Sequence, residues 1–159
     1  MNDHLKDLIS RTASAEAYEE IRKLWQAHSI AEERRDIEGL IATLTDDSVY
    51  EIVSTQHQWI GHDGARQFYS GLLTAFPDIH FELKNIVIGP QGVFEEADVT
   101  ATYRNQWLNF PEPSGQKLEF SVLILFPWDP VKRKFKGERM WYSLNDDVDF
   151  PNFEDGGSE

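Results

Sequence analysis

The stretch Ala65-Arg66-Gln67-Phe68-Tyr69-Ser70-Gly71-Leu72-Leu73-Thr74-Ala75-Phe76-Pro77-Asp78-Ile79-His80-Phe81 changes its hydrophobic period partway along. Up to Phe76 the large apolar side chains return every three or four residues, as on one face of a helix. Pro77 halts that helix, and from Ile79 onward they return every second residue, as along a strand. Upstream the helical period persists. Tyr18, Ile21, Leu24, Trp25 and His28 share one face of a helix predicted over 16–35, whose other face is solvated by Glu19, Glu20, Arg22, Lys23 and Glu33. Ile37, Leu40, Ile41 and Leu44 mark a short second helix, a strand follows over 49–53, and Asp63 is placed to cap the third helix.

Downstream, alternation predicts strands over 79–88, 93–108, 117–126 and 135–144. They are separated by Gly89-Pro90-Gln91-Gly92, a proline-bearing loop over 109–116, and Trp128-Asp129-Pro130. Strands joined by short loops pair antiparallel. Three helices followed by a β-meander therefore predict an α+β fold, a cone in which a curved antiparallel sheet wraps around the long N-terminal helix and leaves a pocket at its open end.

The 159 residues include 15 Lys or Arg against 28 Asp or Glu, a net charge of −13, and no cysteine. This length suits one domain. Absent cysteine excludes disulfides, thiolate metal sites and a cysteine nucleophile. The acidity argues against nucleic acid and anionic membrane as partners, since both reward positive surface. No apolar run is long enough to cross a membrane, and 1–14 lacks the apolar core of a secretory signal, so a cytoplasmic location is expected. The domain is expected over 16–145, with an N-terminal extension over 1–15 and an acidic tail over 146–159.

The run 36–50, Asp36-Ile37-Glu38-Gly39-Leu40-Ile41-Ala42-Thr43-Leu44-Thr45-Asp46-Asp47-Ser48-Val49-Tyr50, resembles the second helix and first strand of the nuclear transport factor 2 superfamily. Gly61-His62-Asp63-Gly64-Ala65-Arg66-Gln67-Phe68-Tyr69 is similar to its third helix. Ala75-Phe76-Pro77-Asp78, Thr100-Ala101-Thr102-Tyr103 and 114–120 are closest to its SnoaL-like polyketide cyclase branch. The resemblance implies the cone, a homodimer paired through the convex face of the sheet, and a cofactor-free pocket for a small hydrophobic molecule. Its enzymes are cyclases, isomerases, dehydratases and hydrolases, and other members catalyse nothing. One fold hosts all of these, so function must come from the pocket.

Chemistry of this type removes a proton from carbon beside a carbonyl, which needs a base in an apolar pocket and a donor for the enolate oxygen. Where relatives place a buried aspartate this chain aligns Phe120, Val122 and Ile124, and the position usually given to histidine is Tyr103. No carboxylate is therefore expected in the pocket. His28 is the candidate base, on the apolar face of the first helix and, by the resemblance, where ketosteroid isomerase has a tyrosine; Tyr103 is its candidate partner. The structural alternatives are a core histidine and an aromatic wall. Tyr50 and Ile52 are expected to face inward and to bind substrate with Phe68, Phe120, Val122 and Tyr142, whereas a one-residue shift would put Glu51 inside instead. His57, His62 and His80 lack the convergent ligands of a metal site, so neither metal nor cofactor is expected. The abundance of aromatic side chains suits a planar guest. A non-catalytic binding or interaction domain is the second reading.

Overall fold

The computed structural model describes residues 1–144. The acidic tail read over 146–159 lies outside the described residues. In chain order the elements are α1 (Asp3–Ser10), α2 (Ala15–Glu33), α3 (Ile37–Ala42), β1 (Leu44–Ile52), β2 (His57–Ile60), α4 (Gly61–Ala75), β3 (His80–Gly89), β4 (Gly92–Thr102), β5 (Lys117–Asp129) and β6 (Lys134–Leu144). The six strands form one curved, unclosed sheet in the order β2-β1-β6-β5-β4-β3. The change of period at Pro77 is the boundary between α4 and β3, and the α+β cone follows from it.

Local chemistry sets the helix starts. Ser14 Oγ accepts from the Ala17 amide (3.1 Å) and Asp36 Oδ1 from the Gly39 amide (3.0 Å), each satisfying a donor that its helix cannot. α2 packs on α3, β3 and β4, and α4 on β1 and β2. Ile21, Leu40 and Leu44, from α2, α3 and β1, are fully buried, each contributing about 1.5–3 kcal/mol by leaving water.

Several features differ from the sequence reading; one is that Asp63 lies in the first turn of α4, whose cap position is Ile60, and does not cap the helix. The segment 1–15 is not featureless, since α1 is capped by Asn2 and accepts a hydrogen bond at the Leu8 carbonyl from Gln91 (2.7 Å). The connection carrying His57 contains strand β2, paired antiparallel to β1. β4 stops at Thr102 rather than running to 108, because Asp78 accepts from both the amide (2.7 Å) and the hydroxyl (2.6 Å) of Thr102, while Arg104 bonds to the Ala75 carbonyl (2.8 Å). These bonds tie the strand to the end of α4. The sheet is antiparallel except at one seam, where β1 and β6 run parallel. The meander β3–β6 returns its last strand beside the first, and the chain arrives there pointing the same way.

Gly137 sits in that seam at φ +107°, where a Cβ would lie 2.0 Å from the Val49 carbonyl oxygen. Only glycine fits. Between the Leu125↔Arg139 and Trp128↔Phe135 pairs, β6 spends one more residue than β5, so a bulge falls at 136–138. The bulge shifts the alternation: Phe135 is buried before it, and Glu138 and Met140 after it.

Candidate active site

Between the inner face of the sheet, α2 and α4 lies a cavity of about 670 Å³, open solvent at its mouth included. Ile52, Phe68, Phe120, Val122 and Tyr142 line it together with Leu72, Phe76, Trp107, Phe110 and Met140. Its wall also carries two carboxyl groups, Glu32 of α2 and Glu138 of β6. This corrects the expectation of a pocket without a carboxylate. The acid does not stand on the strand that aligns with the relatives' aspartate, but one strand over, turned inward by the bulge.

Behind the wall Glu138 is held in a buried network. Tyr69 donates to Glu138 Oε1 (2.7 Å), and His28 Nε2 lies 3.0 Å from that oxygen and 3.0 Å from the Tyr69 hydroxyl. On the other side of the ring, Nδ1 lies 2.7 Å from Thr43 Oγ1. Thr43 gives its one proton to the Leu40 carbonyl (2.7 Å), so it can only accept from Nδ1. The Tyr69 proton is likewise committed, so the Tyr50 hydroxyl, 2.9 Å away, donates to Tyr69. Every proton in the chain thereby has a direction: those of Tyr50, Tyr69 and His28 Nε2 run toward Glu138, and those of His28 Nδ1 and Thr43 run away from it to the Leu40 carbonyl.

Electrostatics agrees with that bonding. Burial pulls the His28 pKa down, but the hydrogen bond and charge of Glu138, aided by Glu32 and Glu95, outweigh it and raise it overall. The imidazolium form is favoured, with Nε2–H donating to the Glu138 carboxylate. Burial and the Glu138 charge hold Tyr50 and Tyr69 well above their ordinary values, so both remain donors. Desolvation, then the charge of Glu138, lifts Glu32 to about 8. Desolvation also lifts Glu95, which accepts from Trp25 Nε1 (2.7 Å), to about 7. Glu138, bonded from behind, thus stands in the cavity wall with Glu32, whose carboxyl is held neutral at pH 7, sharing the same space.

The residues singled out from sequence divide into three groups. Ile52, Phe68, Phe120, Val122 and Tyr142 line the cavity. Tyr50 faces inward but is fully buried beneath the wall. Glu51, its side chain 18% exposed, pairs with Arg139 (2.7 Å), so the Tyr50 and Ile52 register holds. His28 is 2% exposed and reaches the cavity only through Glu138. The structure does not bring Tyr103 to His28. Tyr103 stacks on Phe76 (5.3 Å between centroids) and its hydroxyl accepts from the Trp107 amide (3.2 Å), so it braces two residues of the cavity wall from behind. Among the described residues no cluster of His, Asp and Glu is arranged to hold a metal ion.

The acids bear on stability. Glu32 and Glu95 bind protons more tightly folded than the ordinary 4.5, so their stabilising contribution is complete below about 4.5 and is lost as pH rises through about 7 and about 8. His28, also raised, acts in the same direction. The melting temperature should fall between about pH 5 and about pH 9, and Glu32→Gln should flatten the slope. A profile that rises over that range would show these carboxyls to be solvated.

The chain belongs to the SnoaL-like domain family, whose match spans residues 21–129. Solved structures share the fold at low identity. A protein from Jannaschia sp. CCS1, assigned as a SnoaL-like polyketide cyclase, is 19% identical, with 84% of this chain and 92% of that one covered at a TM-score of 0.67. AclR from Streptomyces galilaeus, assigned as a hydroxylase, is 21% identical over 80% of this chain and 81% of its own, at 0.64. TerC, co-crystallized with polyporic acid, is 14% identical over 79% and 92%, at 0.62. No curated protein matches the sequence.

Proposed function

We propose that the cavity binds a small hydrophobic, carbonyl-bearing molecule and moves a proton on it without a cofactor, as a cyclase or isomerase of carbon acids does. The observation that carries this is Glu138, a carboxyl group in an apolar wall that accepts from His28 and Tyr69 behind it, with Tyr50 donating in turn to Tyr69. In this reading Glu138 takes the proton from carbon beside the carbonyl. The electron pair moves onto the carbonyl oxygen, and Glu32, neutral at pH 7, gives that oxygen a hydrogen bond. His28 positions Glu138 and balances its charge, and Tyr103 keeps Phe76 and Trp107 in place. The aromatic walls favour a planar guest, and TerC, which shares the fold, was co-crystallized with polyporic acid.

The test is deuterium exchange. A panel of aromatic ketones and quinones incubated with the protein in heavy water should include members whose carbon-bound protons wash out faster than in buffer. Binding without exchange would make the protein a non-catalytic ligand carrier, and absence of both would remove the cavity as a binding site.

The outer face of the sheet bears Val87, Phe94 and Leu123 in exposed positions. We propose that two copies pair there, burying at least roughly 1,000 Å². Light scattering at micromolar concentration should give twice the 18.4 kDa of one chain; a monomer would overturn the pairing.

A further inference from the structure

Glu95 has no part in the chemistry above, yet it is 8% exposed on the inner face of β4, among Val93, Ala97 and Val99. A carboxyl in such a place is costly unless it is well bonded, and among the described residues the side-chain hydrogen bond it accepts comes from Trp25. Glu95 borders a second cavity of about 360 Å³, open solvent included, whose wall also holds Trp25, His28, Ser29 and Glu32. Glu32 lines both cavities. Glu32 of α2 and Phe81 of β3 together form the partition between them.

We propose that the second cavity is the proton port of the reactive site, with Glu95 as its relay between Glu32 and solvent. This rests on the proton-transfer reading of the main cavity. A hydrophobic guest that fills that cavity shuts out the water at its mouth. When that hydrogen bond goes on to full transfer of the Glu32 proton to the guest's oxygen, a second route lets Glu32 be reloaded while the guest is still in place. Beyond the His28 ring Nδ1 ends on Thr43 and the Leu40 carbonyl, so on that side too the second cavity, which His28 lines, is the way to water. The open way is through the back of Glu32. Glu95 gives its proton to the Glu32 carboxylate, water in the second cavity reprotonates Glu95, and no oxidation state changes. His28, Glu138 and Arg35 supply the surrounding charge. The similar proton affinities of Glu95 and Glu32, at about 7 and about 8, make the transfer nearly neutral in free energy.

The test uses naphthalene as an inert filler of the main cavity and reads the exchange of the His28 Nε2 proton with water by NMR in the full chain. Naphthalene should shift the Trp107 indole resonance while exchange continues in the wild type. Glu95→Gln, which keeps an acceptor for Trp25, should slow exchange at least about tenfold, and so should Ala97→Leu, which fills the second cavity. If Ala97→Leu fails to fold, the nearly isosteric Glu95→Gln decides alone. Exchange that stops in the wild type once naphthalene is bound would place the route at the mouth and overturn the port. Unchanged exchange in the folded variants would overturn it equally. Neither result touches the role of Glu138. Naphthalene that does not bind would remove both the port and the binding reading beneath it.

Discussion

Glu138→Gln should lower the rate of carbon-proton exchange on a bound guest by roughly 10²- to 10⁴-fold, the usual contribution of a positioned base. The amide has nearly the same shape and its oxygen can still accept from Tyr69, but the buried pair with His28 is lost, so the melting temperature should fall together with the rate. His28 should respond as well. Its pKa is raised chiefly by Glu138 against the pull of burial, so losing that charge should bring its NMR titration down. The two readouts separate causes: a rate within threefold of wild type would remove Glu138 as the base, whereas a lost rate with an unmoved His28 titration would break the proposed coupling.

His28→Ala should be among the most destabilising single changes in the molecule. Its ring is bonded at both nitrogens and meets Phe126 edge-on (5.3 Å between centroids). Truncation leaves the Glu138 carboxylate buried without its counter-ion, and breaking such a pair costs about 3–5 kcal/mol. For a domain of this size each kcal/mol lowers the melting temperature by about 2–4 °C, so a drop of about 10 °C is expected by calorimetry. Turnover should fall too, because the base loses its orientation. A melting temperature within about 2 °C of wild type would show that the buried ion pair is not formed.

The fold was legible because it depends on periodicity over long windows. Helical spacing up to Phe76 and alternation beyond it are properties of many residues at once, and no single exception hides them. The site was only partly legible. The apolar wall could be read from strand parity, so Ile52, Phe120 and Val122 fall where alternation puts them. Glu138 could not, because counting inward positions from Phe135 leads to Gly137, Arg139 and Trp141 and sets Glu138 outside. The bulge at Gly137 reverses that parity, and the trace it leaves in the sequence is a lone glycine between charged residues in the middle of a strand. Glu32 and Glu95 did carry signals. Glu32 lies one helical turn past His28 on the same face, and Glu95 shares parity with Val93, Ala97 and Val99. Acids at inward positions read as solvated until the surrounding walls are known. Tyr103 illustrates the opposite case: its strand ends one residue before it, and the chain turns its hydroxyl back on Trp107.

The parallel seam between β1 and β6 has a bearing on biogenesis. Glu51 and Arg139 face each other across it although 88 residues separate them. A chain emerging from the ribosome must hold α2, α3, α4 and β1 exposed, with their apolar faces unmatched, until the last of these strands has been synthesised. Pairings so distant in sequence close slowly. The same strand delivers Glu138, so completing the sheet and acquiring the proposed base are one event.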